Sequence, residues 1–191
     1  MKHALTALLS LFVLITTGQE TAKNFFVNPD FIPAQTPSGK YYFPGWTIPY
    51  HGGMKKIEPD KGWHGKYSVK IISDDTPGPE TQMMVLQRFK KDQYKPGKYL
   101  FSVNAQLDRK VRRLSLLVGQ MDKTGKRTYQ ERSYYENEQA EPGQWRTYVF
   151  PVELPPDEDN SKNIGVDFRV WNAKAAVVWF DSPKLVKIED E

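Results

Sequence analysis

Eight short runs rich in Val, Tyr, Phe and Leu, each closed by a break of Gly, Pro, Asn or Asp, commit this chain to sheet. They span 67–72, 81–89, 97–106, 114–121, 127–135, 145–154, 163–171 and 175–186, and β-branched and aromatic residues fit a half-buried pleated surface. The breaks are turn sequences, among them Lys95-Pro96-Gly97-Lys98, Asp122-Lys123-Thr124-Gly125-Lys126 and Glu141-Pro142-Gly143-Gln144. There Pro presets φ and Gly supplies conformations closed to other residues. Fourteen prolines spread along the chain argue against long helices, and no stretch sustains a 3.6-residue apolar period. About eight strands and an N-terminal one predict an all-β chain, a two-sheet antiparallel β-sandwich of the jelly-roll kind.

Residues 1–18 read as a secretory signal peptide: Lys2 and His3, an apolar run over 4–15, then the small residues Thr16 and Gly18. The run is too short to cross a hydrocarbon core of about 30 Å. A single domain over 19–191 is expected, secreted or periplasmic, with frayed ends at 19–24 and 188–191. The absence of cysteine excludes disulfides, thiol catalysis and a lipid-attachment thiol, so stability must come from the core or from a bound ion. A formal charge of +4 with 23 acidic residues interspersed is a solvated surface and not a nucleic-acid footprint. The basic run Arg109-Lys110-Val111-Arg112-Arg113 reads as a solvated turn.

Alternation sorts residues onto faces. In 99–106, Phe101, Val103 and Ala105 point one way and Ser102, Asn104 and Gln106 the other. In 165–171, Val166, Phe168 and Val170 form the buried row, opposite Asp167, Arg169 and Trp171. Neither side of 127–135 is apolar, which suits an edge strand or a groove lining. Planar aromatics beside amide and charged groups are what a sugar needs, a flat apolar face for the ring and polar groups for the hydroxyls. The expected carbohydrate site is therefore Trp171, Arg169, Asp167, Asn104, Gln106, Tyr134 and Arg132, with Tyr129 and Tyr135 adjacent. Trp171 serves as a platform or caps a strand end. Trp46 is assigned to the core, Trp145 and Trp179 to core-like strands, and Trp63 to either exposure or burial.

The ordered motifs resemble the galactose-binding-like jelly rolls, and within them carbohydrate-binding modules of families four, nine and twenty-two. The resemblance runs from Asn28-Pro29-Asp30-Phe31 and Gly45-Trp46, through His64-Gly65-Lys66-Tyr67-Ser68-Val69-Lys70-Ile71 and Gln87. It continues with Tyr94-Lys95-Pro96-Gly97-Lys98-Tyr99 and Gly143-Gln144-Trp145-Arg146-Thr147-Tyr148, and ends at Val178-Trp179-Phe180-Asp181-Ser182-Pro183-Lys184-Leu185. It implies a non-catalytic module with a carbohydrate ligand. It also implies a structural calcium ion, Ca2+, held by Asp181, Asp30 and Asn28; the other role open to Asp181 is hydrogen bonding to backbone amides.

Catalytic apparatus is not legible. There is no nucleophile elbow, P-loop or dinucleotide fingerprint, and His3, His51 and His64 have no metal-ligand spacing. The loop 155–160 reads as solvated. Two other functions use the same residues: an extracytoplasmic protein-interaction or assembly module, favoured by a coherent exposed apolar patch, and a small lyase or hydrolase, favoured by a perturbed carboxyl or Tyr beside an Arg.

Overall fold

The computed structural model describes residues 23–49, 54–74, 82–90, 93–121, 127–154, 163–171 and 174–188. The signal-peptide reading, His51, the turns at 75–79 and 122–126 and the loop 155–160 lie outside the described residues. The architecture is the expected two-sheet antiparallel β-sandwich. A five-stranded sheet runs in the order β3 (Met54–Lys61), β4 (Tyr67–Ser73), β11 (Val177–Lys187), β6 (Gly97–Leu107), β9 (Trp145–Leu154). A four-stranded sheet runs β5 (Gln82–Lys90), β10 (Asn163–Trp171), β7 (Arg113–Met121), β8 (Arg127–Tyr135). A small hairpin pairs β1 (Ala34–Gln35) with β2 (Tyr41–Tyr42). A 3-10 turn at Glu136–Glu138 follows β8.

Each strand sends one row of side chains between the sheets. From the four-stranded sheet come Val166, Phe168 and Val170, Leu114, Leu116 and Val118, and Met83, Val85 and Phe89; from the other, Val69, Ile71, Phe101, Val103, Val178 and Phe180. All are buried. Phe168 is the centre of an aromatic seam. Its ring lies 4.6 Å from Phe180, 5.6 Å from Trp46, 6.3 Å from Phe101 and 6.4 Å from Phe31, centroid to centroid. Burying a side chain of this size stabilises the fold by about 1.5–3 kcal/mol, and edge and tilted ring contacts add to it. Trp46 is in this core, as expected, and its Nε1 donates to the Asn28 carbonyl at 2.8 Å.

One strand differs from the sequence reading for a physical reason, and one expectation holds, since β8 is an edge strand. Strand β3 was not among the expected runs because it reads MKKIEPDK. It is an edge strand whose outward row, Lys56, Glu58 and Asp60, is charged; Glu58 pairs with Lys56 and with Lys70 of β4, and Asp60 with Lys70, the composition that discourages pairing with other chains. Strand β8 has no apolar row because its inner side laces the sheets together. The Tyr134 hydroxyl donates to the Val149 carbonyl and accepts from the Val149 N–H. The Gln130 side chain does the same for Glu153, at 2.5 and 3.2 Å. Side-chain groups thus fill the open edge of β9.

Replacing Phe168 with Ala should lower the unfolding free energy by about 3–5 kcal/mol, read as a shifted urea midpoint at unchanged slope. A loss below about 1 kcal/mol would mean that the seam is not the adhesive between the sheets.

Candidate functional site

The unbroken register of β5, β10, β7 and β8 places sixteen residues on the outer face of the four-stranded sheet in four cross-strand rows. They are Gln82, Trp171, Arg113, Tyr135; Met84, Arg169, Ser115, Ser133; Leu86, Asp167, Leu117, Glu131; and Arg88, Gly165, Gly119, Tyr129. The middle of this lattice is sunken. Ser115, Leu117 and Asp167 are buried although their row faces away from the core, whereas Tyr129 and Tyr135 on β8 are 49% and 52% exposed. The Tyr129 ring lies close over Gly119, where a Cβ would come within 2.7 Å of it.

The floor is a charge network. Arg169 grips Asp167 through two nitrogens, Nε to Oδ1 at 2.6 Å and Nη2 to Oδ2 at 3.0 Å, and its Nη1 donates to Gln82 at 3.4 Å. Burial pushes the Asp167 carboxyl above its ordinary range, opposed by the Arg169 contact. Burial also opposes the Arg169 charge, but Asp167 outweighs it and holds the guanidinium charged. One strand beyond Leu117, Glu131 accepts from the Ser133 and Ser115 hydroxyls at 2.6 and 2.7 Å, and Arg113 stands 3.6 Å away. Burial works against its charge, but these hydroxyls, Arg113 and Arg169 together hold Glu131 below its ordinary range. The Arg113 guanidinium stacks 4.1 Å from the centre of the Trp171 ring, so Trp171 works as a support for Arg113 as well as a wall. No Nε1 partner of Trp171 is present among the described residues.

Of the expected site residues, Trp171, Arg169 and Asp167 share this face. The other four do not. Asn104 and Gln106 alternate outward from β6, which belongs to the five-stranded sheet, so they sit on the opposite side of the sandwich. There Asn104 is buried and accepts from Thr147 at 2.7 Å, while Gln106 donates to the Gly143 carbonyl at 2.7 Å. Tyr134 and Arg132 are on the inner side of β8. Tyr134 is the lacing residue, and Arg132 pairs with Glu138 at 2.6 Å. Period-two alternation distinguishes in from out but does not say to which sheet a strand belongs. Gln82, Arg113, Ser115, Glu131 and Ser133 escaped the sequence reading for the same reason; the β7–β8 hairpin register carries the signal for the last four.

Two of the three expected calcium ligands, Asp181 and Asn28, have other partners. Asp181 is fully buried, and its Oδ2 accepts the N–H groups of Trp63, His64 and Gly65 at 2.8, 2.7 and 3.1 Å; Oδ1 accepts from Ser182 at 2.9 Å. The Asn28 oxygen accepts from the Ile32 N–H at 2.8 Å, and Asp30 is exposed. Converging N–H donors surround a carboxylate that serves as an acceptor, and this donor set does not fit a cation that seeks six to eight oxygens. No cluster of three or more His, Asp or Glu is found among the described residues.

No protein-family model and no curated protein matches the sequence. Solved structures do match in fold. A family 16 carbohydrate-binding module superposes with a TM-score of 0.55 at 16% identity, covering 86% of this chain and all of the module. TmCBM61, solved with β-1,4-galactotriose, gives 0.50 at 15% identity, covering 87% and 100%. The CBM22-1–GH10 modules of Clostridium thermocellum endo-1,4-beta-D-xylanase 10B, complexed with xylohexaose, give 0.53 at 15%, covering 88% of this chain and 28% of that one. The chain thus spans the whole of two modules and under a third of the xylanase fragment. The chain shares its two-sheet sandwich fold with these modules. Among the described residues no helix is long and apolar enough to cross a membrane.

Because the folded-state pKa of Glu131 lies below its ordinary value of 4.5, its charge stabilises the fold fully above that value. The stabilisation is lost as pH falls through the lowered one. The stability difference between the parent and Glu131→Gln should therefore be flat at neutral pH and close in acid. A difference independent of pH would contradict the network.

Proposed function

We propose that the chain is an exported, non-catalytic carbohydrate-binding module that holds an oligosaccharide or a polysaccharide segment across the outer face of the four-stranded sheet. The observation that carries this reading is the pairing of two half-exposed tyrosine rings, Tyr129 and Tyr135, with a sunken polar floor of Arg169, Asp167 and Glu131. Rings of this kind supply flat apolar contact at low entropic cost, and the fixed guanidinium and hydroxyl groups supply orientation for sugar hydroxyls. The floor is organised before any ligand arrives, since each of its charged groups already has partners. The fold matches to modules solved with galactotriose and xylohexaose support the same ligand class. Export rests on the apolar leader at 1–18.

One observation favours a hydrolase. Glu131 and Asp167 lie on one face two strands apart, roughly 9–10 Å by strand spacing, and their carboxyls are displaced in opposite directions, the pattern of an acid and base pair. Against it stands the Asp167 contact: both of its oxygens are gripped by Arg169 and only 5% of the side chain is exposed. A proton donor closed off in this way has no path to a leaving group. The interaction-module reading draws on Val27, Ile32, Tyr41 and Tyr42, which are exposed near the N-terminal hairpin, but scattered apolar side chains are ordinary on folded domains.

On a glycan array followed by calorimetry, the parent should bind at least one β-linked glycan without releasing products. Tyr129→Ala or Tyr135→Ala should weaken that binding about tenfold, the equivalent of about 1.4 kcal/mol, and Trp171→Ala should weaken it through the loss of the Arg113 support. Uniform failure to bind, or tyrosine variants that bind as the parent does, would overturn the proposal; product release lost in Glu131→Gln would replace it with the hydrolase.

A further inference from the structure

The five-stranded sheet carries a second set of aromatic residues on its own outer face, outside the site described above. Trp179, Gln106 and Trp145 are consecutive cross-strand neighbours on β11, β6 and β9. Trp63 comes to this row from the loop between β3 and β4. Its ring lies 6.0 Å from that of Trp145 with the two planes only 10° apart, the His64 ring lies 4.0 Å from it, and Trp63 is 44% exposed. An exposed tryptophan on a mobile loop would gain little by staying in place. This one is anchored: the three successive amides of Trp63, His64 and Gly65 converge on one oxygen of fully buried Asp181.

The anchor is built with little tolerance. A Cβ on Gly62 would approach the Gly65 carbonyl oxygen to 2.5 Å, and a Cβ on Gly65 would approach the Asp181 carboxylate to 2.6 Å. Asp181 itself sits at the β11 irregularity, where Ser182 adopts a φ of 45°, a conformation that costs energy for a residue other than glycine. Strain and a fully satisfied buried carboxylate thus hold one loop whose conspicuous exposed group is a tryptophan parallel to a second tryptophan. Beside the rings, Gln106 donates to the Gly143 carbonyl, which fixes the amide plane. Two of the charged side chains nearby already have partners: Lys70 pairs with Glu58 at 3.1 Å, and Asp60 accepts from Trp179 Nε1 at 2.9 Å.

We propose that Trp63, Trp145 and Gln106 form a second saccharide-binding surface, taking an uncharged pyranose ring by stacking, so that the sandwich carries two sugar sites back to back. The ligand class follows from the chemistry: flat apolar faces held rigid beside a fixed amide. A bivalent module of this kind would bridge two strands of a polysaccharide or bind one with avidity. The inference rests on this sheet alone, and it stands or falls apart from the site on the four-stranded face.

The test is a titration of the full chain, labelled with 5-fluorotryptophan, with xylohexaose, cellohexaose and β-1,4-galactotriose, followed by fluorine NMR. The five tryptophan signals are assigned with single Trp→Phe variants. The expected result is saturable shifts of the Trp63 and Trp145 signals that persist in a Tyr129→Ala, Tyr135→Ala double variant. Trp63→Ala, a change at an exposed loop side chain, should weaken this second phase at least tenfold, and Gln106→Ala should weaken it less. If only the Trp171 signal moves and calorimetry counts one ligand per chain, the second surface is overturned and the first site stands. If only Trp63 and Trp145 respond, the second surface stands and the first falls. If no signal responds to any of the three sugars, both are overturned.

Discussion

Everything on the surface of this sandwich is placed by the contact between Phe168 and the rings around it. With no cysteine to join the sheets, they are held by what they bury, and Phe168 meets aromatic rings from both the opposite sheet and the N-terminal segment. Once it points inward, period-two alternation sends Asp167 and Arg169 outward. Slipping β10 by one residue would bury that pair among hydrocarbon and expose the seam. Core and candidate site are therefore two sides of one registration.

A second theme is the use of side-chain amides, hydroxyls and carboxylates as stand-ins for backbone. Gln87 accepts from the Val27 N–H at 2.7 Å and donates to the Val27 carbonyl at 2.9 Å. Gln139 treats Val111 in the same way, and also donates to the Tyr134 carbonyl. Tyr134 and Gln130 complete the edge of β9, and Asp181 collects three amides of the β3–β4 loop. The side chains of Gln87, Gln139, Tyr134 and Asp181 satisfy buried or half-buried polar groups that would otherwise cost about 1–3 kcal/mol. Together they tie the N-terminal segment, the corner between sheets and one loop to the frame, the part that disulfides fill in many exported domains.

The strands were legible because their local chemistry is consistent: aromatic and β-branched runs between Pro- and Gly-containing turns. The edge strand Met54–Lys61 was not, since protecting an edge replaces the apolar pattern with Lys, Glu, Asp and Pro. For the site, alternation placed Asp167, Arg169 and Trp171 on one face correctly. It could not show that Asn104 and Gln106 face outward from the other sheet, because sheet membership depends on long-range pairing of β6 with β11 and β9. Tyr134 was misplaced for a different reason. Neither row of β8 is apolar, so alternation does not mark its inward side, and the Tyr134 hydroxyl finds backbone partners on β9 while the ring stays inside. Asp181 was open between a cation and backbone amides, and the deciding fact is the loop conformation around Gly65, which composition does not encode.

The central claim is that a saccharide lies across β5, β10, β7 and β8, over the Asp167–Arg169 pair. Its most direct measurement is backbone and side-chain NMR of the chain saturated with the tightest glycan from the array, with intermolecular contacts recorded between sugar protons and aromatic side chains. The account predicts contacts from the sugar to the Tyr129 and Tyr135 rings, with shifts at Arg169 and Glu131. A sugar bound solely at the loop ends of the sandwich, leaving these four residues unmoved, would contradict it.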